Sequence, residues 1–303
     1  MTASARPIMS VVVATYNRCA LLPALFDALA AQTLSPSFFE VVIVDDCSPD
    51  ETQETIRRLR THCPMPLITI RQEVNGGPAR ARNEGIRIAR GSIIAITDDD
   101  CLPTPRWLEE MLRSFEDLDV VGTEGPIETD ASRVTAWTHQ VSNATPGAFF
   151  TANIAYRRDD LLAAGLFDEH YPHPADEDTD LGLRMLEWGQ IVFNPRAIVY
   201  HPPIAVGLVR NAKKVRYCLS DVRFFLKHPT RIIRPYRRLW LYTVRNVIVG
   251  ICKQQLSLTP LFRRDPKKYG GYFVFNVLRL YYTVLLIPQY RAKEYNERQL
   301  LRM

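Results

Sequence analysis

Ile93-Ile94-Ala95-Ile96-Thr97-Asp98-Asp99-Asp100 is an apolar run of strand length that stops at three adjacent carboxylates. On an extended backbone residues i and i+2 share a face, so Asp98 and Asp100 could converge on one cation while Asp99 faces elsewhere. Hard oxygen ligands suit Mg²⁺ or Mn²⁺, ions that keep positions open for substrate phosphates. A strand-end pair of this kind therefore reads as a site for a metal-bound diphosphate. A solvated acidic turn ahead of Pro103 fits the same residues.

Outward from this strand, similar β-branched runs occur at Ser10 to Ala14, Val41 to Val44 and Leu67 to Ile70, about 25 to 30 residues apart. The intervals carry helical stripes: Leu21, Leu22, Leu25 and Leu29, then Ile56 and Leu59, then Ala79, Ile86 and Ala89. Continuous apolar strands alternating with amphipathic helices predict an α/β fold with a mainly parallel sheet covered on both faces and ligands at the strands' carboxyl ends. Thr15-Tyr16-Asn17, Asp45-Asp46 and Asp98 to Asp100 all follow strands. No G-x-G-x-x-G follows the first strand and no P-loop is present.

The 303 residues are 47% hydrophobic and 23% charged, which excludes a disordered chain. The net charge of +5 conceals an asymmetry: residues 206–303 hold 21 Lys/Arg against 4 Asp/Glu, leaving the first 205 acidic. The expected division is 1–205, acidic and catalytic, and 206–303, a basic, amphipathic helical extension. Six cysteines (19, 47, 63, 101, 218, 252) show no zinc-type spacing, and a reducing compartment is expected. Asn143-Ala144-Thr145 spells a glycosylation sequon, but Met1 to Pro7 has no signal-peptide pattern, so the sequon is read as chance.

Four segments, VVVATYNR (11–18), VVIVDDCSPD (41–50), NGGPARARN (75–83) and ITDDD (96–100), together resemble the second family of inverting glycosyltransferases, whose fold is GT-A. The similarity continues through Thr151-Ala152-Asn153, Gly165-Leu166-Phe167-Asp168-Glu169 and Glu177-Asp178-Thr179-Asp180, covering residues 8 to about 201. The resemblance implies a nucleotide-sugar donor as co-substrate, with Mg²⁺ or Mn²⁺ as cofactor. It assigns donor contacts to Thr15, Asp45, Asp46, Arg80, Arg82, Asp98 and Asp99, and metal contacts to Asp100, Asp98 and His201. Asp178 matches the base that takes the acceptor's proton, and Glu177 is the next candidate.

Each position has a plainer alternative. Asp45 and Asp46 fit an Asx turn, the two arginines a solvated helix face, and His201 a structural residue before Pro202-Pro203. The acidic run from Asp176 fits a helix N-terminus, a role compatible with catalysis because a capped helix would fix the base. Phe167 and Trp188 fit the core or a stack on a sugar, the core being the expectation, and Cys47 and Cys101 are expected as small packing residues. The family often has glycine at the position of Cys47. No Gln-x-x-Arg-Trp signature occurs, which points to transfer of one sugar per encounter.

Beyond Ala205 the resemblance ends. Two apolar stretches, Leu239 to Cys252 and Tyr272 to Pro288, lie among Arg231, Arg234, Arg237, Arg238, Arg263, Arg264, Lys267 and Lys268. The second includes Asn276 and Arg279, so an interfacial helix on an anionic membrane is expected before a full span. Helices packed on the catalytic domain with a solvated basic face fit as well. The expectation is a non-processive enzyme, peripheral on the cytoplasmic face, acting on a glycan or lipid-linked acceptor and not on nucleic acid. The rivals are a sugar-nucleotide- or lipid-binding scaffold and a metal-dependent nucleotidyltransferase or diphosphate hydrolase.

Overall fold

The computed structural model describes residues 6–231, 238–259 and 261–300; Arg234 and Arg237 lie outside them. The strands are β1 (Met9–Thr15), β2 (Phe39–Asp45), β3 (Leu67–Arg71), β4 (Ile93–Ile96), β5 (Leu102–Pro103), β6 (Val120–Glu124), β7 (Ile127–Glu128), β8 (Thr138–His139), β9 (Ile154–Arg157), β10 (Gln190–Phe193), β11 (Val199–Tyr200) and β12 (Ile204–Ala205). The α-helices are α1 (Leu22–Ala30), α2 (Thr52–Arg60), α3 (Pro78–Ile88), α4 (Trp107–Arg113), α5 (Arg158–Ala163), α6 (Glu177–Met185), α7 (Leu208–Lys213), α8 (Leu219–Lys227), α9 (Leu239–Ser257), α10 (Leu261–Arg264) and α11 (Pro266–Leu300). The chain forms two compact units, one of residues 1–129, 141–169 and 178–202 and the other of 130–140, 170–177 and 203–303.

The first unit is built on a seven-stranded sheet of order β10-β6-β9-β4-β1-β2-β3. β1 pairs in parallel with β2 and β4, β2 with β3, and β10 with β6; β9 alone runs against its neighbours. The period of two sorts the side chains. Val11, Val13, Val41 and Ile43 meet Leu22, Leu25 and Leu29 of α1 and Trp107 of α4. Val12, Val42, Val44 and Ile96 join Ile86 of α3 and Leu181 of α6 on the opposite face. Both faces are thus covered, as the unbroken apolar strands require. Each large aliphatic side chain so buried contributes about 1.5–3 kcal/mol. Gly85 lets α3 lie close to β1, since a Cβ there would come within 2.7 Å of Val12 Cγ1. Phe167 is buried as expected, whereas Trp188 is 49% exposed, having followed α6 past its last turn into the loop before β10.

The second unit is mainly helical, with the two-stranded ribbon β12-β8. Leu219, Val222, Leu239, Val244 and Tyr290 form one of its cores. The stretch Tyr272 to Pro288 lies inside the 35-residue α11, which is long and apolar enough to cross a membrane by length and composition. The carboxyl groups of Asp176, read above as a candidate cap, and Asp221 share a hydrogen bond.

Candidate active site

The acidic residues of the first unit gather where parallel strands end. Thr15 closes β1 and faces Asp45 at the end of β2. Asp45 is fully buried and held by protein groups: it accepts from the Ser48 N–H at 2.9 Å, from Gln53 Nε2 of α2 at 2.6 Å and from Arg71 Nη1 of β3 at 3.5 Å. The bond to Ser48 reaches three residues on, one beyond the span of an Asx turn, so Asp45 fastens the loop after β2 to its neighbours instead.

Asp46 does something the sequence did not disclose. Its carboxylate accepts from the Gly76 N–H at 2.7 Å, the Gly77 N–H at 2.8 Å and Asn75 Nδ2 at 2.9 Å. It thereby clamps the loop that opens α3, where Gly77 has φ of 86°, a conformation costly for any other residue. Burial raises the Asp46 carboxyl above its ordinary range, with the two glycine N–H groups opposing the shift. On α3, Arg80 is exposed, whereas Arg82 is buried and donates to Asp98 Oδ1 at 2.8 Å. Asn83 donates to the Phe167 carbonyl and to Glu169 Oε1 and accepts from the Phe167 N–H, stapling the Gly165–Glu169 loop to α3.

The acidic run is a turn, not a strand. β4 ends at Ile96, and the Cys101 N–H closes back on the Asp98 carbonyl at 3.1 Å. Strand alternation therefore does not reach the three carboxylates. Asp98 turns to Arg82, while Asp99 and Asp100 both face Arg18. Asp99 also accepts from Thr15 Oγ1 at 2.7 Å, and burial pushes its carboxyl up to about 7 against the opposing charge of Arg18. No role for Arg18 was legible beforehand; the only signal was a basic residue soon after the first strand.

His201 follows β11, whose pairing with β5 and β7 brings it to the acidic turn. Its Nε2 stands 3.5 Å from Asp100 Oδ1, both residues buried, and its Nδ1 lies 3.1 Å from the Pro202 carbonyl. A carbonyl accepts only, so Nδ1 carries the proton there, which fits Nε2 as a ligand atom. Two ligands each about 2.1 Å from one octahedral ion stand about 3 Å apart, so this spacing suits a shared divalent cation. The Cys101 sulfur belongs to the same group of atoms. Burial holds that thiol well above its ordinary pKa, and a soft sulfur is a poor match for a hard Mg²⁺ or Mn²⁺. A carboxylate and an imidazole then leave several positions open, as Mg²⁺ or Mn²⁺ with a bound diphosphate requires. Asp98 does not join this group.

α6 carries the proposed base. Asp178 is half-buried and accepts from the Thr179 N–H at 2.8 Å; Glu177 is buried. Asp180 pairs with Arg184, which donates to the Leu166 carbonyl at 2.6 Å. The end of the motif thus anchors the Gly165 turn. Asn153 likewise supports the framework, accepting from Trp107 Nε1 and donating to the carbonyls of Pro126 and Ala197, all at 2.8 Å.

Comparison with known proteins matches residues 10–170 to the family described as Glycosyl transferase family 2. Among curated relatives, glycosyltransferase AglE of Haloferax volcanii is 31% identical over 55% of this chain and 58% of its own length. Validoxylamine A glucosyltransferase of Streptomyces hygroscopicus subsp. limoneus is 27% identical over 82% of this chain and 62% of its own. The chain spans about three-fifths of the length of these two relatives. Among solved structures, the mannosyltransferase PcManGT from Pyrobaculum calidifontis, in complex with GDP-Man and Mn²⁺, superposes with a TM-score of 0.64 at 20% identity, covering 93% of this chain and 87% of that one. S. aureus TarS 1-349 gives 0.57 at 21% identity over 96% and 91%.

Proposed function

Given that the chain belongs to glycosyl transferase family 2, and so is a nucleotide-sugar-dependent glycosyltransferase of GT-A fold, we propose that it transfers one sugar per encounter, with inversion and metal assistance, to a hydroxyl of a glycan or lipid-linked acceptor. The observation that carries this reading is the buried pair Asp100 Oδ1 and His201 Nε2, 3.5 Å apart beyond the carboxyl end of β4. Mn²⁺ bound to the mannosyltransferase supports a divalent cation here, and its GDP-Man supports a nucleoside-diphosphate sugar.

In this mechanism the clamped glycine loop and the Arg82–Asp98 pair hold the donor, with Thr15, Asp45, Asp99 and Arg80 around it. The Asp178 carboxylate takes the proton of the acceptor hydroxyl as its oxygen attacks the anomeric carbon. The bond from that carbon to the diphosphate breaks on the opposite side, and its electron pair leaves with the nucleoside diphosphate. Asp100 and His201 would hold a divalent cation, which would supply electrostatic stabilisation of the charge on that leaving group. Glu177 is the alternate base.

The membrane reading rests on α11, which turns Tyr272, Phe275 and Tyr290 inward but leaves a second apolar face outside. It buries Asn276, Thr283, Glu294 and Glu297 and exposes Phe273, Val274, Val277, Tyr281, Val284 and Leu285. The exposed residues form one stripe at helical spacing, and the exposed Arg263, Arg264 and Lys267 precede it. Polar residues turned inward and aliphatics outward suit a lipid surface, with the cations drawn to anionic headgroups. Residues 206–303 would then seat the enzyme on the cytoplasmic face while 1–205 bind donor and catalyse.

NMR of the reaction with Mn²⁺ and the preferred donor tests the reading. Release of intact nucleoside diphosphate with an inverted sugar linkage is expected, and Asp178→Asn should bind donor normally yet lose at least about 100-fold in rate. Release of pyrophosphate or of a nucleoside monophosphate would identify a nucleotidyltransferase or diphosphate hydrolase instead, and binding without turnover a scaffold.

A further inference from the structure

Within the second unit, a cavity of about 330 Å³ is lined by Arg279, Lys214, His139, Gln140, Asn211 and Gln254 among others. No acidic residue lines it among the described residues. Its volume falls in the range of small-molecule sites, about 300–1,000 Å³.

Arg279 is the unusual member. The Nη1 atom donates to Gln254 Oε1 at 3.0 Å and the guanidinium lies 5.4 Å from the centre of the Phe275 ring, but among the described residues no carboxylate pairs with it. Burial pulls the guanidinium below its ordinary pKa. A guanidinium offers five donors, and a cation set apart from water without a counter-ion is costly. The acidic residues of 206–303 are engaged elsewhere: Asp221 with Asp176, Asp265 with the Lys268 N–H, Glu294 with Arg298, and Glu297 with Arg223 and Lys293. One buried polar atom of the lining lacks a partner. The buried Gln140 Oε1 makes no hydrogen bond, and a ligand hydroxyl would satisfy it.

We propose that this cavity binds a phosphate-bearing ligand, with Arg279 and Lys214 holding the phosphate and the neutral amides contacting the rest. The ligand is the missing counter-ion: phosphate accepts several charge-assisted hydrogen bonds from a guanidinium and an ammonium at once. Its lining residues belong to the second unit and the donor carboxylates to the first, and it needs no metal.

Calorimetry with inorganic phosphate in EDTA, on the full chain, tests it. The wild type should bind, Asp100→Ala should bind equally, and Arg279→Gln should lose about tenfold or more in affinity. Arg279→Gln should also melt no lower than wild type in phosphate-free buffer, because it removes an unpaired cation. If it misfolds, Lys214→Gln carries the same comparison. Flotation with phosphatidylcholine vesicles, with and without phosphatidic acid, separates the sources. Capture that depends on both phosphatidic acid and Arg279 assigns a lipid phosphate, and phosphate binding without such capture assigns a soluble phosphate ester. Absence of phosphate binding in EDTA, or equal binding by wild type and both variants, overturns the proposal.

Discussion

Arg18 and Asp100 form an ion pair through Asp100 Oδ2, while the other oxygen of that carboxylate faces His201 Nε2 at 3.5 Å. The same guanidinium lies 3.4 Å from Asp99, so one cation balances two adjacent buried carboxylates. Its side chain is 37% exposed, so solvent reaches this cation. Arg18 therefore stands where part of a divalent cation's charge is needed. Arg18→Ala is expected to destabilise the metal-free protein by about 2 kcal/mol, discounted from the fully buried case for Arg18's exposure. Mn²⁺ should then raise the melting temperature of Arg18→Ala more than that of wild type. Equal Mn²⁺ responses in parallel melts would remove Arg18 from this role.

The clamp of Asp46 on Gly76 and Gly77 requires a carboxylate, not merely a side chain of its size. In Asp46→Asn one of the two N–H groups would face an amide NH₂. A loss of about 1–3 kcal/mol by denaturant titration is expected, together with weaker nucleotide binding, since the loop at the start of α3 is freed. Unchanged stability would mean that the loop holds its shape without Asp46.

Cys47 has φ of 63°, in the left-handed region where a side chain costs roughly 1–2 kcal/mol. Glycine at this position is thus explained by backbone geometry and not by the thiol. Cys47→Gly should fold with stability equal to wild type or up to about 1 kcal/mol higher, the relief being partly offset by unfolded-state entropy. A melt lowered by several degrees would show that the contact of Cys47 Sγ with the Glu73 carbonyl outweighs the strain.

Much of the fold was legible because residues 11–13, 41–44 and 93–96 are unbroken apolar runs and Leu22, Leu25 and Leu29 recur at helical spacing, patterns that a covered parallel sheet satisfies. The site was legible as a set of positions, since those positions follow strands. Partners were not. Whether Asp46 holds a ligand or the Gly76–Gly77 backbone depends on loop geometry with no periodicity to read, and the alternation assumed for Asp98 to Asp100 fails because the strand ends at Ile96. Trp188 misled for the opposite reason, its large apolar ring carrying no mark of the loop that exposes it. The exposed apolar face of α11 is invisible to composition, because Val284 points outward while the neighbouring Thr283 is buried.

Asp176 and Asp221 set a pH dependence in the second unit. Burial raises both carboxyl groups, Asp221 well above its ordinary value, and Asp221 carries the shared proton. A raised folded-state value means that the folded chain holds a proton which the unfolded chain releases near pH 4. The stabilisation is therefore complete below about pH 4 and is lost as pH rises through the folded value. Asp221→Asn keeps a donor toward Asp176 without titrating, so its stability relative to wild type should grow as pH rises from about 5 to about 9. Parallel stability curves for the two proteins across that range would contradict the shared proton.

The central claim is that donor binding runs through a divalent cation held by Asp100 and His201. Calorimetry of UDP-, GDP-, dTDP- and CMP-linked sugars, each with Mn²⁺ and with EDTA, on wild type and Asp100→Ala tests it most directly. One nucleotide should bind wild type tightly in Mn²⁺ and weakly in EDTA, and Asp100→Ala in Mn²⁺ should match wild type in EDTA. Equal affinity with and without metal, or full affinity in Asp100→Ala, would contradict it.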